Sequence, residues 1–369
     1  MDKIGMIPVM FRALLTAVGR MITSPLRGDT GATTYFKDVA YAALRTQLAH
    51  MSLAQEQYMN PSTDENYLEL AKSKGFQPDS IVLSDGSKGH WLGNKGAEKV
   101  IVYFHGTCIL EQDTTRDAEA DGDVRTKGGG YVLPASPGHV TWAFELNQSL
   151  NKAGHSTSLV FLAYTTAPSG QYPTQMTQAT ELLRHIIEKE GKKPSDIIIG
   201  GDSAGGNLTL ALMSHLLHPH RKLPKLELSE PLRAAVLISP WVRFATTDDS
   251  ARRNANSDML TPAAAQRWSE AFLGGARLDE YNQPIIADDD WFKGLENVVS
   301  EILVWGGGGE VLIDSIVEIA KKLQKAHPKT ELVVQPKVGH EEFIIDTLLG
   351  YKEKAEGTVL MENWIGARL

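Results

Sequence analysis

The sequence predicts an α/β fold, a mainly parallel sheet flanked by helices with a helical lid. Three observations carry that prediction. From residue 99 onward, short apolar runs alternate with stretches of helical period, the pattern of successive βαβ units. One of these runs, in 196-DIIIGGDSAGGNLTLAL-212, passes through a tight turn directly into an apolar helix. Two segments, roughly 1–75 and 244–295, interrupt the alternation, and insertions of this kind belong over the carboxyl ends of the strands, where open sheets bind ligands.

The elements follow in order. A strand pair is expected around Ser80 to Leu92. Further strands are expected at Val100 to Phe104, Ser158 to Ala163, Asp196 to Ile199, Ala234 to Ile238, Glu301 to Trp305 and Glu331 to Gln335. Between them, 177-TQATELLRHIIEKEG-191 places Leu182, Leu183, Ile186 and Ile187 on one helix face, with Gly191 as its stop, and 310-EVLIDSIVEIAKKLQKA-326 repeats apolar residues at helical spacing. The domain reading is an N-terminal helical cap region at 1–75 and a sheet domain at 76–369. Within the latter, 244–295 is a lid insertion and 107–128 an anomalous one.

Composition narrows the function. A 42% hydrophobic, 22% charged chain is that of an ordinary globular protein, and a net charge of -8 spread without long basic runs argues against nucleic acid as a partner. The lone cysteine, Cys108, allows neither an intrachain disulfide nor a thiolate metal cluster, and fits a reducing, cytoplasmic compartment. The start, MDKIGMIPVMFRALLTAVGRMITSPLRG, is apolar and basic, but Arg12 and Arg20 interrupt it as a membrane span and Arg12 splits it as a signal peptide. It is expected to be a helix covering a substrate pocket, with peripheral membrane contact as the alternative.

The strongest chemical signal is Gly201-Asp202-Ser203-Ala204-Gly205 between strand and helix. A sharp turn there projects the Ser203 hydroxyl at a helix N-terminus, where the Ala204 amide and the helix dipole can hold a developing oxyanion. A serine needs an imidazole to take its proton and a carboxylate to orient that imidazole. His340, in 336-PKVGHEEF-343, is the only histidine beyond residue 327 and follows a predicted strand. Glu310, immediately after the strand that ends in Gly306 to Gly309, is the expected acid, with Asp314 one helical turn later in reserve. Other clusters are weaker. His215, His218 and His220 sit at a helix end without a carboxylate partner, and Asp288-Asp289-Asp290 lacks the ligand spacing of a calcium loop, so neither a metal nor a cofactor is expected.

With those residues in place the chain resembles the hormone-sensitive-lipase-like branch of the α/β-hydrolases, particularly its fungal esterase-like members. The likeness runs from about residue 98 to about 348 and is carried by GDSAGG at 201–206, 164-YTTAPSGQYPTQ-175, 239-SPWV-242, 310-EVLID-314 and Gly339-His340. It implies the α/β-hydrolase fold, a Ser203-Glu310-His340 triad, no cofactor, a lid over an apolar pocket, and hydrolysis of carboxylic esters. An aspartate is usual at the Glu310 position. The larger departure is at 104-FHGTCILEQDTTRDAEADGDVRTKGGGYVLPA-135. In the family His-Gly-Gly-Gly-Tyr is continuous, and the amides of its first glycines complete the oxyanion hole. Deleting Thr107 to Gly128 would leave His105-Gly106-Gly129-Gly130-Tyr131, the intact motif. The intervening residues carry six acids and three bases with few large apolar side chains, as expected of a retained in-frame intron in the gene model, with a genuine polar insertion as the alternative. The expected oxyanion donors are thus Ala204 with Gly128 and Gly129, or with Gly106 if the segment is absent.

The sequence reading is therefore a serine hydrolase of small or medium acyl esters, acetyl esters of a secondary metabolite or lipid included. Trp241, Phe244, Trp268 and Trp291 are its pocket candidates. Two alternatives stand beside it: an amidase, formamidase, acyl-transferring or lactone-opening tailoring enzyme of secondary metabolism, and a non-catalytic ligand-binding pseudohydrolase. The oligomeric state is not legible in the sequence.

Overall fold

The computed structural model describes residues 4–28, 30–106 and 130–369. The expected insertion at 107–128, with Cys108 and Gly128, lies outside the described residues, as does Gly129.

Four helices come first, α1 (Met6–Thr23), α2 (Tyr35–His50), α3 (Leu53–Met59) and α4 (Thr63–Lys74). Local chemistry sets their ends. The Thr34 hydroxyl accepts the Lys37 amide, Ser52 with Gln55 and Ser62 with Glu65 form capping boxes, and Gly75 closes α4 at φ +73°. The antiparallel pair β1 (Ser80–Val82) and β2 (Lys88–Gly93) follows, and β2 in turn joins the larger sheet. Then come β3 (Lys99–Phe104), α5 (Pro137–Lys152), β4 (Thr157–Ala163), α6 (Thr174–Glu188), β5 (Ile197–Asp202), α7 (Ala204–Leu217) and β6 (Ala234–Ile238). The remainder is α8 (Asp249–Arg253), α9 (Pro262–Leu273), β7 (Ile302–Gly307), α10 (Ile313–Ala326), β8 (Thr330–Gln335), α11 (Glu342–Leu348) and α12 (Glu356–Gly366).

The strands form one sheet in the order β1-β2-β4-β3-β5-β6-β7-β8. Every pairing from β4 to β8 is parallel. Because side chains alternate across a strand, Val100, Val102 and Phe104 of β3 enter one core with α6, α7 and α10, while Ile101 and Tyr103 enter the other with α5 and α12. A sheet covered on both faces needs continuous apolar strands, which is why these runs lack polar alternation. Each large side chain so buried contributes roughly 1.5–3 kcal/mol.

The predicted strand positions hold to within a residue or a few at their ends, and three of the shifted boundaries have readable reasons. β5 continues past Ile199 because Gly200, Gly201 and Asp202 keep their ladder partners Val236, Leu237 and Ile238 on β6. α6 ends at Glu188, and Gly191, at φ +69°, belongs to the turn beyond it. α10 starts at Ile313 because the Glu310 amide is bonded to Gly307 O in a turn.

The N-terminal helices differ from expectation more deeply. It is α2, not the first helix, that reaches the carboxyl-end loops. Lys37 bridges Glu342 and Asp346, each at 2.7 Å, and the Tyr41 ring lies beside Gly339. α1 packs on α2 through its smaller face, around Ala13, and turns its large apolar residues to solvent. The 244–295 stretch forms α8, α9 and irregular turns between β6 and β7.

Candidate active site

The turn from β5 into α7 is held open for a serine by glycine. A Cβ at Gly201 would run into the Phe104 carbonyl and the Gly205 backbone, and one at Gly205 into the same carbonyl, so strand and helix can approach only with hydrogen at both positions. Between them Ser203 sits at φ +47°, ψ -112°, a conformation that costs about 1–3 kcal/mol. The neighbouring strand holds it there: Ser203 N donates to Ile238 O and Trp241 N to Ser203 O, both at 2.9 Å.

Two loops at the same edge complete a hydrogen-bonded chain. His340, after β8, lies 2.9 Å by Nε2 from Ser203 Oγ and 2.7 Å by Nδ1 from Glu310 Oε2. Glu310, in the turn after β7, accepts on Oε1 from Gly307 N at 2.6 Å and from Ser239 Oγ at 2.9 Å. Both carboxylate oxygens are therefore occupied, and only one orientation satisfies them. Ser239, the first residue of SPWV, thus serves Glu310 from the end of β6, where its backbone sits at φ +45°. Asp314, the reserve acid, lies elsewhere, accepting the Ser250 amide at 2.8 Å and pairing with Arg253.

Behind the nucleophile lies a second buried cluster that sequence reasoning missed. Asp202 accepts from Tyr103 Oη at 2.6 Å, from Gly106 N at 2.6 Å and from His139 Nε2 at 3.1 Å. The Gly106 N–H is thus engaged with Asp202 in the chain as it stands. The Ala204 amide opens α7 and has no partner one turn back within the helix, the position of an N–H that can meet an oxyanion. Gly128 and Gly129, the other expected donors, lie outside the described residues. Glu341, next to His340 in sequence, places Oε1 3.5 Å from His340 Nε2 and Oε2 3.6 Å from His139 Nε2. Neither Glu341 oxygen has a hydrogen-bond partner among the described residues. The acidic pair in 340-HEEF was the available signal for Glu341; nothing in the sequence linked His139 to the site.

Electrostatics divide the labour. Burial works against a charged His340, but Glu341, Glu310 and Asp258 outweigh it and push the imidazole up to about 10. Burial and the Asp202 charge push Glu341 up to about 8, well above the usual carboxyl range. Burial opposes the charge on Asp202 too, yet His139 holds it down to about 2. His139, for which burial is again the opposing force, rises to about 10 beside Asp202. His105 is simply buried, lowered to about 3, and stacks at 4.2 Å on Tyr164 as a neutral ring.

His139, Asp202 and Glu341 each offer one donor atom within 4.8 Å of the others, the residue types a metal would use. Asp202 is already bonded by three donors, Tyr103, Gly106 and His139, which leaves it little capacity to serve as a metal ligand. His215, His218 and His220 do not converge: His215 bonds Pro224 O, His218 bonds Trp291 O, and His220 lies against Tyr281. Asp288 caps its own turn, while Asp289 and Asp290 pair with lysines.

Of the aromatic candidates, Trp241 follows Ser203 across the turn and packs at 4.8 Å on Phe244, and Trp241 and Trp268 both close on Gly130. Trp268 is oriented by its indole N–H bond to Glu56 at 2.9 Å. Trp291 is not part of this group. It lies at the far end of α7, donating to Ser214 Oγ and packing on His218.

A family model described as the alpha/beta hydrolase fold matches residues 124–344, more than half of the chain. The chain belongs to the α/β-hydrolases. The match to this α/β-hydrolase begins inside the interrupted motif, beyond β3 and His105-Gly106. Among curated relatives, it is 30% identical over 187 residues to an acetyl-hydrolase of Streptomyces hygroscopicus, covering 50% of this chain and 57% of that protein. It is 29% identical over 149 residues to the putative acetyl-hydrolase LipR of Mycobacterium tuberculosis, covering 40% and 44%. The chain thus spans about half the length of the curated relatives it matches. The same α/β-hydrolase superposes on the crystal structure of an esterase from the bacterial hormone-sensitive lipase family with a TM-score of 0.61 at 20% identity, covering 98% of each chain, a likeness of fold.

Proposed function

We propose that this chain is a serine hydrolase of carboxylic esters, with small acyl groups, acetyl foremost, as its substrate class. The observation that carries the reading is the chain of hydrogen bonds from Ser203 Oγ through the His340 ring to Glu310. Its relatives' description as acetyl-hydrolases supports the acyl class. Placement in a hormone-sensitive-lipase-like, fungal esterase-like branch belongs to the same reading and rests on GDSAGG and residues 164–175.

The chemistry follows from the geometry. Ser203 Oγ attacks the acyl carbon as its proton passes to His340 Nε2, and Glu310, bonded to Nδ1, fixes the ring's orientation and stabilises the imidazolium. The carbonyl oxygen gathers the charge and is met by the Ala204 amide at the positive end of α7. His340 returns the proton to the departing alcohol, leaving an acyl-serine. Water, deprotonated by the same imidazole, then releases the acid and restores Ser203.

The test is hydrolysis of p-nitrophenyl acetate and butyrate by the full chain and by Ser203→Ala, with fluorophosphonate labelling of Ser203 in parallel. Serine-dependent turnover with labelling supports the reading. A well-folded chain that neither turns over nor labels overturns it.

A further inference from the structure

The outer face of α1 is built for contact yet lies exposed. Ile7, Phe11, Leu14, Leu15, Val18 and Ile22 recur at helical spacing, and all are exposed, from 46% at Val18 to 73% at Ile22. By length and composition alone, Met6–Leu26 is apolar enough to cross a membrane. A water-facing helix ordinarily shows the reverse pattern, polar outward.

Charge says what covers this face. α1 contains no acid, and its two charged residues are Arg12 and Arg20. Beside the apolar face, between α1 and α2, runs a groove of about 470 Å³ lined by Arg12, Thr16, Arg20, Arg45 and His50. Arg12 has no ion-pair partner among the described residues. Tyr35 at the start of α2, half exposed, donates to Met21 O and adds an amphipathic ring where the helix ends. An apolar face rimmed by cations and hydroxyls matches acyl chains below anionic headgroups.

Two other occupants fit less well. A membrane span would pull Arg20 from Asp38, a fully buried carboxylate that it binds with two nitrogens at 2.7 and 2.9 Å, and would place Arg12 in hydrocarbon. A twofold contact with a second copy would bring like-charged rims together. We propose that α1 lies in the surface of a bilayer containing anionic phospholipid, its outer face among the acyl chains, the Arg12 groove at the phosphates, and its inner face still on α2. Because α2 touches the His340 loop, docking would set the carboxyl-end loops one helix away from the lipid. The inference does not depend on the ester reading.

The experiment uses the full chain with vesicles of phosphatidylcholine alone or with about 30% phosphatidylserine, read by cosedimentation and by sedimentation velocity without lipid. Binding to the anionic vesicles that weakens with salt, and about tenfold or more in Phe11→Ser/Leu15→Ser and in Arg12→Glu, is the expected result. These side chains support no core, and circular dichroism verifies the fold of each variant. Absence of vesicle binding, or equal binding by the variants, overturns the proposal. So does a concentration-dependent dimer dispersed by Phe11→Ser/Leu15→Ser, or resistance of bound protein to alkaline extraction, which would mean a second copy or a span.

Discussion

Glu341 Oε1 lies 3.5 Å from Nε2 of His340, against the same nitrogen that faces Ser203 Oγ at 2.9 Å. A buried carboxyl therefore stands beside the atom through which every proton in the proposed reaction must pass. Ionised, it stabilises the imidazolium and withholds the base; protonated, it does so far less.

This relationship sets a pH dependence. His340 must be neutral to accept the serine proton, and its raised pKa moves the acid limb of kcat/KM to higher pH than an ordinary histidine would give. Glu341→Gln removes one of the negative charges that raise it, so the limb moves to lower pH; Glu310 and Asp258 remain. A pH profile of p-nitrophenyl acetate hydrolysis measures this, and an unmoved limb would mean that Glu341 is electrostatically silent.

Glu310 and Asp314 separate cleanly by geometry. Glu310→Gln keeps the shape but removes the charge that orients and stabilises His340, and should lower kcat by about 10³–10⁴-fold. Asp314→Asn, whose carboxylate serves the Ser250 amide and Arg253, should leave kcat/KM near that of the parent. The reverse outcome would reassign the acid.

The elbow predicts a folding cost. Gly201→Ala places a methyl group against the Phe104 carbonyl in a fully buried turn, and should lower stability by at least roughly 1–3 kcal/mol. Denaturant unfolding reads it directly, and an unchanged midpoint would contradict the packing.

The interrupted motif makes its own prediction. Removing Thr107 to Gly128 joins Gly106 to Gly129 and restores His-Gly-Gly-Gly-Tyr. If that turn supplies oxyanion donors that the longer segment displaces, the shortened chain gains about 10²–10³-fold in kcat over the full chain, with Ser203→Ala abolishing both. Equal activity would make the segment an insertion compatible with catalysis.

The sequence alone determined the order of strands and helices, the elbow around Ser203, and the roles expected of Glu310 and His340, because each rests on local rules. Apolar runs mark strands buried on both faces, glycines mark a turn with no room for Cβ, and a polar residue after a strand end belongs to the loop edge. Tertiary structure decided what depends on residues meeting across the chain. Only the sheet order brings His139, Asp202 and Glu341 together, 202 residues apart at the extremes of His139 and Glu341. Only packing takes the Gly106 amide for Asp202, carries Trp291 away from the site, and turns the apolar side of α1 outward. Hydrophobic periodicity reports that a helix has an apolar face; which of its faces finds a partner is fixed by where the rest of the chain stands.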